Sequence, residues 1–232
     1  MKKYIRPLQW HEIGLILFAL WAVIALVAPL FNHRSDMPKR DTACTSNLRQ
    51  LAMAAEMYSQ DNKNRLPGLY KRQADNTVST NYTGWVSDVD TYAKGGADVI
   101  IDDMFHCPDI DKNMKKYVSY GYNAALLLPN GAGIDKKIIT IPAKVGLLCD
   151  SEPMLNIELQ GGIIGSYKNN LKSQLSVKPV GRHKGHVVVG YADGHSAAVS
   201  ENYDENDKEN VVNKAFYRAD ELGYIKKDAK GK

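Results

Sequence analysis

The chain has 232 residues, 44% of them hydrophobic and 24% charged, enough for one domain of ordinary size with appendages. A formal net charge of +4 and a pI near 8.8 are mildly basic, and no stretch concentrates Lys and Arg with aromatics, so a nucleic-acid partner is excluded. The average composition hides a split between an apolar N-terminal stretch and everything after it.

Residues 1–12 carry Lys2, Lys3 and Arg6 and read as a short cytoplasmic stub. Residues 13–31 contain IGLILFALWAVIALVAPL, a run without charge whose length as a helix, about 27 Å, is just enough to cross a bilayer. The run is too long for a signal-peptide core, and Ala28 followed by Pro29 is a poor cleavage site, so the expectation is a retained transmembrane helix. Basic residues on both flanks leave the positive-inside count nearly balanced. The short stub makes an N-in, C-out orientation the simpler one, with the head outside the cytoplasmic membrane.

Residues 32–66 form a linker and an amphipathic continuation. Pro38 is expected to kink or restart the helix, and Asp41 or Thr42 to cap the new start. Ala43, Leu48, Leu51, Ala55 and Tyr58 recur at three- and four-residue steps and form a face for docking on a sheet. The globular head covers 67–203. Its first part is loop-rich, with short strands and a small helix near residues 86–93; YVSYGYN, KKIITIP and VGLLCD then read as strands of one small antiparallel sheet. HVVVGYA and HSAAVS flank Asp193-Gly194 and predict a hairpin whose two turn residues both take positive φ. Residues 204–232 comprise an acidic loop, a short helix burying Val212, Ala215, Phe216 and Ala219 with Gly223 as its cap, and a frayed tail.

Few residues invite chemistry. Cys44 and Cys107 are the expected disulfide in an oxidising compartment, since closing a long loop onto the helix contributes on the order of 4 kcal/mol in the chain-entropy picture. Two free buried thiols remain the alternative, and Cys149 reads as core. No Cys-x-x-Cys pair suggests zinc. Asp150, His183, Asp193 and His195 could form a His/Asp rim for a divalent cation, although backbone hydrogen bonding by turn residues is the preferred reading and no cofactor is expected. No nucleophile elbow, phosphate loop or His-Glu-x-x-His is present, so catalysis is not expected.

His183, then KGHVVVGYA, then Asp193-Gly194 match the His-x9-Asp-Gly motif. With Cys44, Asn47 to Leu51, Met57-Tyr58, Asp61-Asn62, Leu66-Pro67, Cys107-Pro108 and Ser119 to Asn123, the chain resembles pilin-like proteins of the type II secretion and type IV pilus superfamily. The resemblance implies an α+β, pilin-like fold: a long N-terminal helix, transmembrane then amphipathic, packed on a small antiparallel sheet. It further implies a non-catalytic pseudopilin-like role at the inner membrane, with lipid around 13–31 and other pilin-like or secretion-system subunits as partners. Glu12 corresponds to the glutamate of the prepilin processing site, but Pro7 stands where that family has Gly. Cleavage is therefore not expected, and a permanently anchored relative is. The alternative function is an extracytoplasmic binding module that uses the His/Asp rim for a cation or a glycan.

Overall fold

The computed structural model describes Gln9, Trp10, Gly14 and residues 17–21, 36–72, 78–82, 84–93, 103–114, 117–153, 162–164, 176–199 and 206–226. The chain divides into two compact units, 1–39 and 40–232. In the first, residues 17–21 are helical, with Leu17, Phe18, Leu20 and Trp21 exposed. Glu12 and most of 13–31 lie outside the described residues.

The expected membrane anchor is overturned: among the described residues, no helix is long and apolar enough to cross a membrane. The helix that meets the sheet is α1, Asp36–Asp61, and its 26 residues DMPKRDTACTSNLRQLAMAAEMYSQD are far too polar for hydrocarbon. The long transmembrane-then-amphipathic helix, the lipid partner and the single-pass inner-membrane placement therefore fall together, and the anchored pseudopilin of a secretion system loses the element it rested on. Pro38 lies in the first turn of α1, where a missing N–H costs nothing, so it neither kinks nor restarts the helix.

Nine further elements matter here. Strands β1 (Tyr70–Arg72) and β2 (Val78–Tyr82) pair antiparallel. Helix α2 (Gly84–Ala93) follows, then β3 (Tyr120–Asn123), β4 (Gly146–Asp150), β5 (Gly162–Ile164), β6 (Val187–Tyr191), β7 (Ser196–Val199) and helix α3 (Val211–Phe216). The main sheet has the order β5-β3-β4-β6-β7. It is mixed, not antiparallel as expected, because β3 and β5 run parallel. Its edge strand β5 is the short run Gly162–Ile164. KKIITIP, expected as a strand, instead forms the 3-10 turns Lys136–Ile138 and Pro142–Lys144.

Every residue of β4 and β6 is buried, as expected of central strands covered on both faces. That explains the continuous apolar run VVVGY where a half-exposed strand would alternate. α1 lies so close to β6 that a Cβ on Gly190 would meet the Leu48 carbonyl oxygen at 2.9 Å. Cys44 and Leu48, one helical turn apart, accordingly sit against Asp150 and Gly190. On the same strands Gly146 makes room for the Phe216 ring, which a Cβ would meet at 2.2 Å, and Asn123 Nδ2 donates to the carbonyls of Gly146 and Ala215. Trp85 of α2 is fully buried, stacks on Tyr122 and donates from its indole to the Gly162 carbonyl. Of the anticipated α1 stripe, Leu48, Leu51 and Ala55 are buried, joined by Cys44 and Ala52.

The β6-β7 hairpin forms, with Val188 opposite Ala198. Its turn is a three-residue loop, 192–194, closed by the Tyr191 N–H donating to the His195 carbonyl. Only Gly194 takes positive φ, at 89°, so the two-residue turn expected at Asp193-Gly194 is corrected to a type I turn ending in a left-handed glycine.

Gly190→Val tests the helix-sheet contact. The obstruction is backbone, which cannot rotate away, so we expect a loss of about 1–3 kcal/mol, read from urea denaturation midpoints. An unchanged midpoint would show that α1 is not seated on β6.

Candidate functional site

Four separate segments converge at the end of the α1–sheet interface. Cys44 comes from the first buried turn of α1, Cys107 from the loop after the 3-10 turn Asp103–Phe105, Asp150 from the last position of β4, and His183 from the turn before β6. One ligand atom of each lies within 4.8 Å of the others. All four side chains are buried, none exceeding 2% exposure.

His183 is held by an unusually tight turn. Lys184 and Gly185 take φ of 55° and 91°, the pair of positive values that the sequence suggested for Asp193-Gly194. The Gly185 N–H donates to the Gly181 carbonyl, and a Cβ on Gly181 would meet the Gly185 oxygen at 2.4 Å. The ring is then fixed from both sides. Nδ1 lies 2.8 Å from Asp41 Oδ1 and 3.1 Å from Asp109 Oδ2; Nε2 faces Cys107 Sγ at 3.2 Å and Asp150 Oδ2 at 3.5 Å.

Asp150 has no exposed surface, and its environment compensates for that burial. Cys44 Sγ–H donates to Oδ1 at 3.3 Å, the Val188 N–H donates to Oδ2 at 3.1 Å, and Arg182 Nη1 stands 3.5 Å from Oδ1. Arg182 is itself anchored by the carbonyls of Ser119 and Ser151. Tyr120, fully buried, places its hydroxyl 3.4 Å from Cys44 Sγ.

The electrostatics divide the two thiols. A hydrogen bond from Cys44 is the main cause lowering Cys107 to about 5; burial opposes it and His183 assists it. The same bond, followed by burial and the charge of Asp150, pushes Cys44 far upward, so Cys44 keeps its proton. Burial raises Asp150 to about 7, with the Cys107 charge adding and Arg182 opposing. Burial favours neutral His183, but the hydrogen bond to Cys107 and the charge of Asp150 outweigh it and lift the ring to about 9.

Of the candidates read from the sequence, the structure brings together Asp150 and His183 and adds Cys44 and Cys107 to them. Asp193 and His195 are not part of this cluster. They pair with each other on the exposed hairpin turn, where hydrogen bonds from His195 hold the Asp193 carboxyl below its ordinary range despite slight burial, and the His195 ring stacks on Tyr191. The expected Cys44–Cys107 disulfide is not formed; Cys44, Cys107 and Cys149 are all free and buried. Sequence reasoning missed Asp41, read only as a helix cap, together with Asp109 and Arg182. The signal was faint because 76 residues separate Cys107 from His183 and 142 separate Asp41 from His183.

The arrangement suits three kinds of chemistry: soft-metal ligation, disulfide exchange, or a Cys-His-Asp nucleophile. The third needs an accessible sulfur, and Cys107 has no exposed surface. Comparison with known family models, with characterised proteins and with solved structures finds no match.

Cys107 gives a direct titration. With chelator present, thiolate ultraviolet absorbance in the folded protein should appear as pH rises through about 5. His183→Gln removes a cation that favours the thiolate, so the transition should move up toward the ordinary value of 9.0. An unmoved transition would mean that His183 does not face the sulfur.

Proposed function

We propose that this chain is a non-catalytic subunit of a protein assembly, working through a head in which one helix is laid on a sheet. The observation that supports it best is the burial of the reactive groups. Cys44, Cys107, Asp150 and His183 are enclosed where α1 meets the sheet, so they join elements together instead of facing a cleft. The His-x9-Asp-Gly residues fit the same reading. His183 reaches from the sheet side to Asp41 on α1, and Asp193-Gly194 turns the hairpin. A motif with both ends in structural roles favours a fold signature over an active-site signature.

The outer face of α1 offers the surface such a subunit would use. Ser46, Gln50, Met53, Met57 and Gln60 are exposed at three- and four-residue steps, and this stripe carries no acidic side chain. Met53 and Met57 are each half exposed, and flexible thioethers suit packing against a neighbouring subunit's helix.

The test is photo-crosslinking in producing cells, with the crosslinker placed at position 53 or 57 and a control at exposed Ile141. Discrete heavier adducts from 53 and 57, absent from 141, are expected. A monomer from every position would refute an assembly role, and turnover of any substrate abolished by Cys107→Ser would replace it with an enzyme.

A further inference from the structure

We propose that Cys44, Cys107, Asp150 and His183 form a closed structural site for one zinc ion, which clamps α1 to the sheet. Two thiolates, one imidazole and one carboxylate are the donors zinc takes in four-coordinate sites, and the two sulfurs select against magnesium and calcium.

Zinc–sulfur bonds of about 2.3 Å and zinc–nitrogen or zinc–oxygen bonds of about 2.0–2.2 Å, set at tetrahedral angles, place neighbouring ligand atoms about 3.4–3.8 Å apart. Here Cys107 Sγ to His183 Nε2 is 3.2 Å, His183 Nε2 to Asp150 Oδ2 is 3.5 Å, and Cys44 Sγ to Asp150 Oδ2 is 3.6 Å. The remaining pairs of ligand atoms lie within 4.8 Å, so the four donors already surround one point.

A zinc-bound imidazole donates its other ring N–H to a carboxylate, which fixes its orientation; Nδ1 of His183 has Asp41 and Asp109 in place for this. Two thiolates and a carboxylate exceed the charge of a divalent ion by one, and Arg182 beside Asp150 supplies the balancing positive charge. Four protein ligands and no exposed surface leave no position for substrate, so the role is structural.

The experiment uses the full chain. Protein purified in reduced form should carry close to one zinc per chain by elemental analysis. After chelation under reducing conditions, titration with cobalt(II) should saturate at one equivalent, with thiolate-to-cobalt charge-transfer absorption and intense tetrahedral d–d bands. Cys107→Ser should lose most of the charge-transfer absorption, whereas the control Cys149→Ser should keep it, since Cys149 lies outside the cluster. Chelation should also lower the melting temperature. X-ray absorption on the unmutated zinc protein, expected to give two sulfur and two lighter ligands, keeps the proposal testable if a variant fails to fold. Absence of both zinc and cobalt uptake, a sulfur-free coordination shell, or a Cys44–Cys107 disulfide whose reduction restores no cobalt binding would each overturn it.

Discussion

A carboxylate at the end of a central strand, with no surface left to water, has to be satisfied by the protein, and the organisation around Asp150 follows from that requirement. β6 contributes the Val188 N–H, α1 contributes the Cys44 thiol, and the turn before β6 contributes Arg182 and His183. Each group is meaningful only if its element is in place, so one buried charge couples the helix, two strands and a loop. Removing one partner would strand the others without compensation, a cost larger than the worth of any single hydrogen bond.

In the same region backbone segments approach each other closely. Gly190 lets the Leu48 carbonyl lie on β6, and this brings Cys44, one turn earlier, to Asp150. Gly181 lets Gly185 fold back, and this aims His183 into the interface. Lys184, at φ 55°, occupies a conformation that costs an ordinary residue on the order of 1 kcal/mol. A turn held in that state beside a buried imidazole trades local strain for the position of the ring.

Burial also separates the possible roles of the cluster. The Cys107–His183–Asp41 alignment has the geometry of an activated nucleophile, yet the sulfur is enclosed by α1, β4 and the His183 turn. The groups that would activate a thiol in a cleft here hold a helix to a sheet. The outer side of α1 leaves Met53 and Met57 half exposed.

The sequence by itself determined the α+β class, α1 with its buried Leu48, Leu51 and Ala55, strands β3 and β4, and the β6-β7 hairpin, because hydrophobic spacing and turn glycines are local signals. It also marked Asp150, His183, Cys44 and Cys107 one by one. Reading an apolar run as a membrane span misled, because hydropathy scores a segment without its surroundings, and among the described residues no helix could cross a bilayer. The parallel β3–β5 pairing and the 3-10 turns in place of a strand at KKIITIP depended on neighbours distant in the chain. The union of Cys44, Cys107, Asp150 and His183, with Asp193 and His195 outside it, was likewise decided only by the tertiary structure. Cys44 and Asp150 are 106 positions apart, and no local pattern specifies which side chains meet when a helix closes on a sheet.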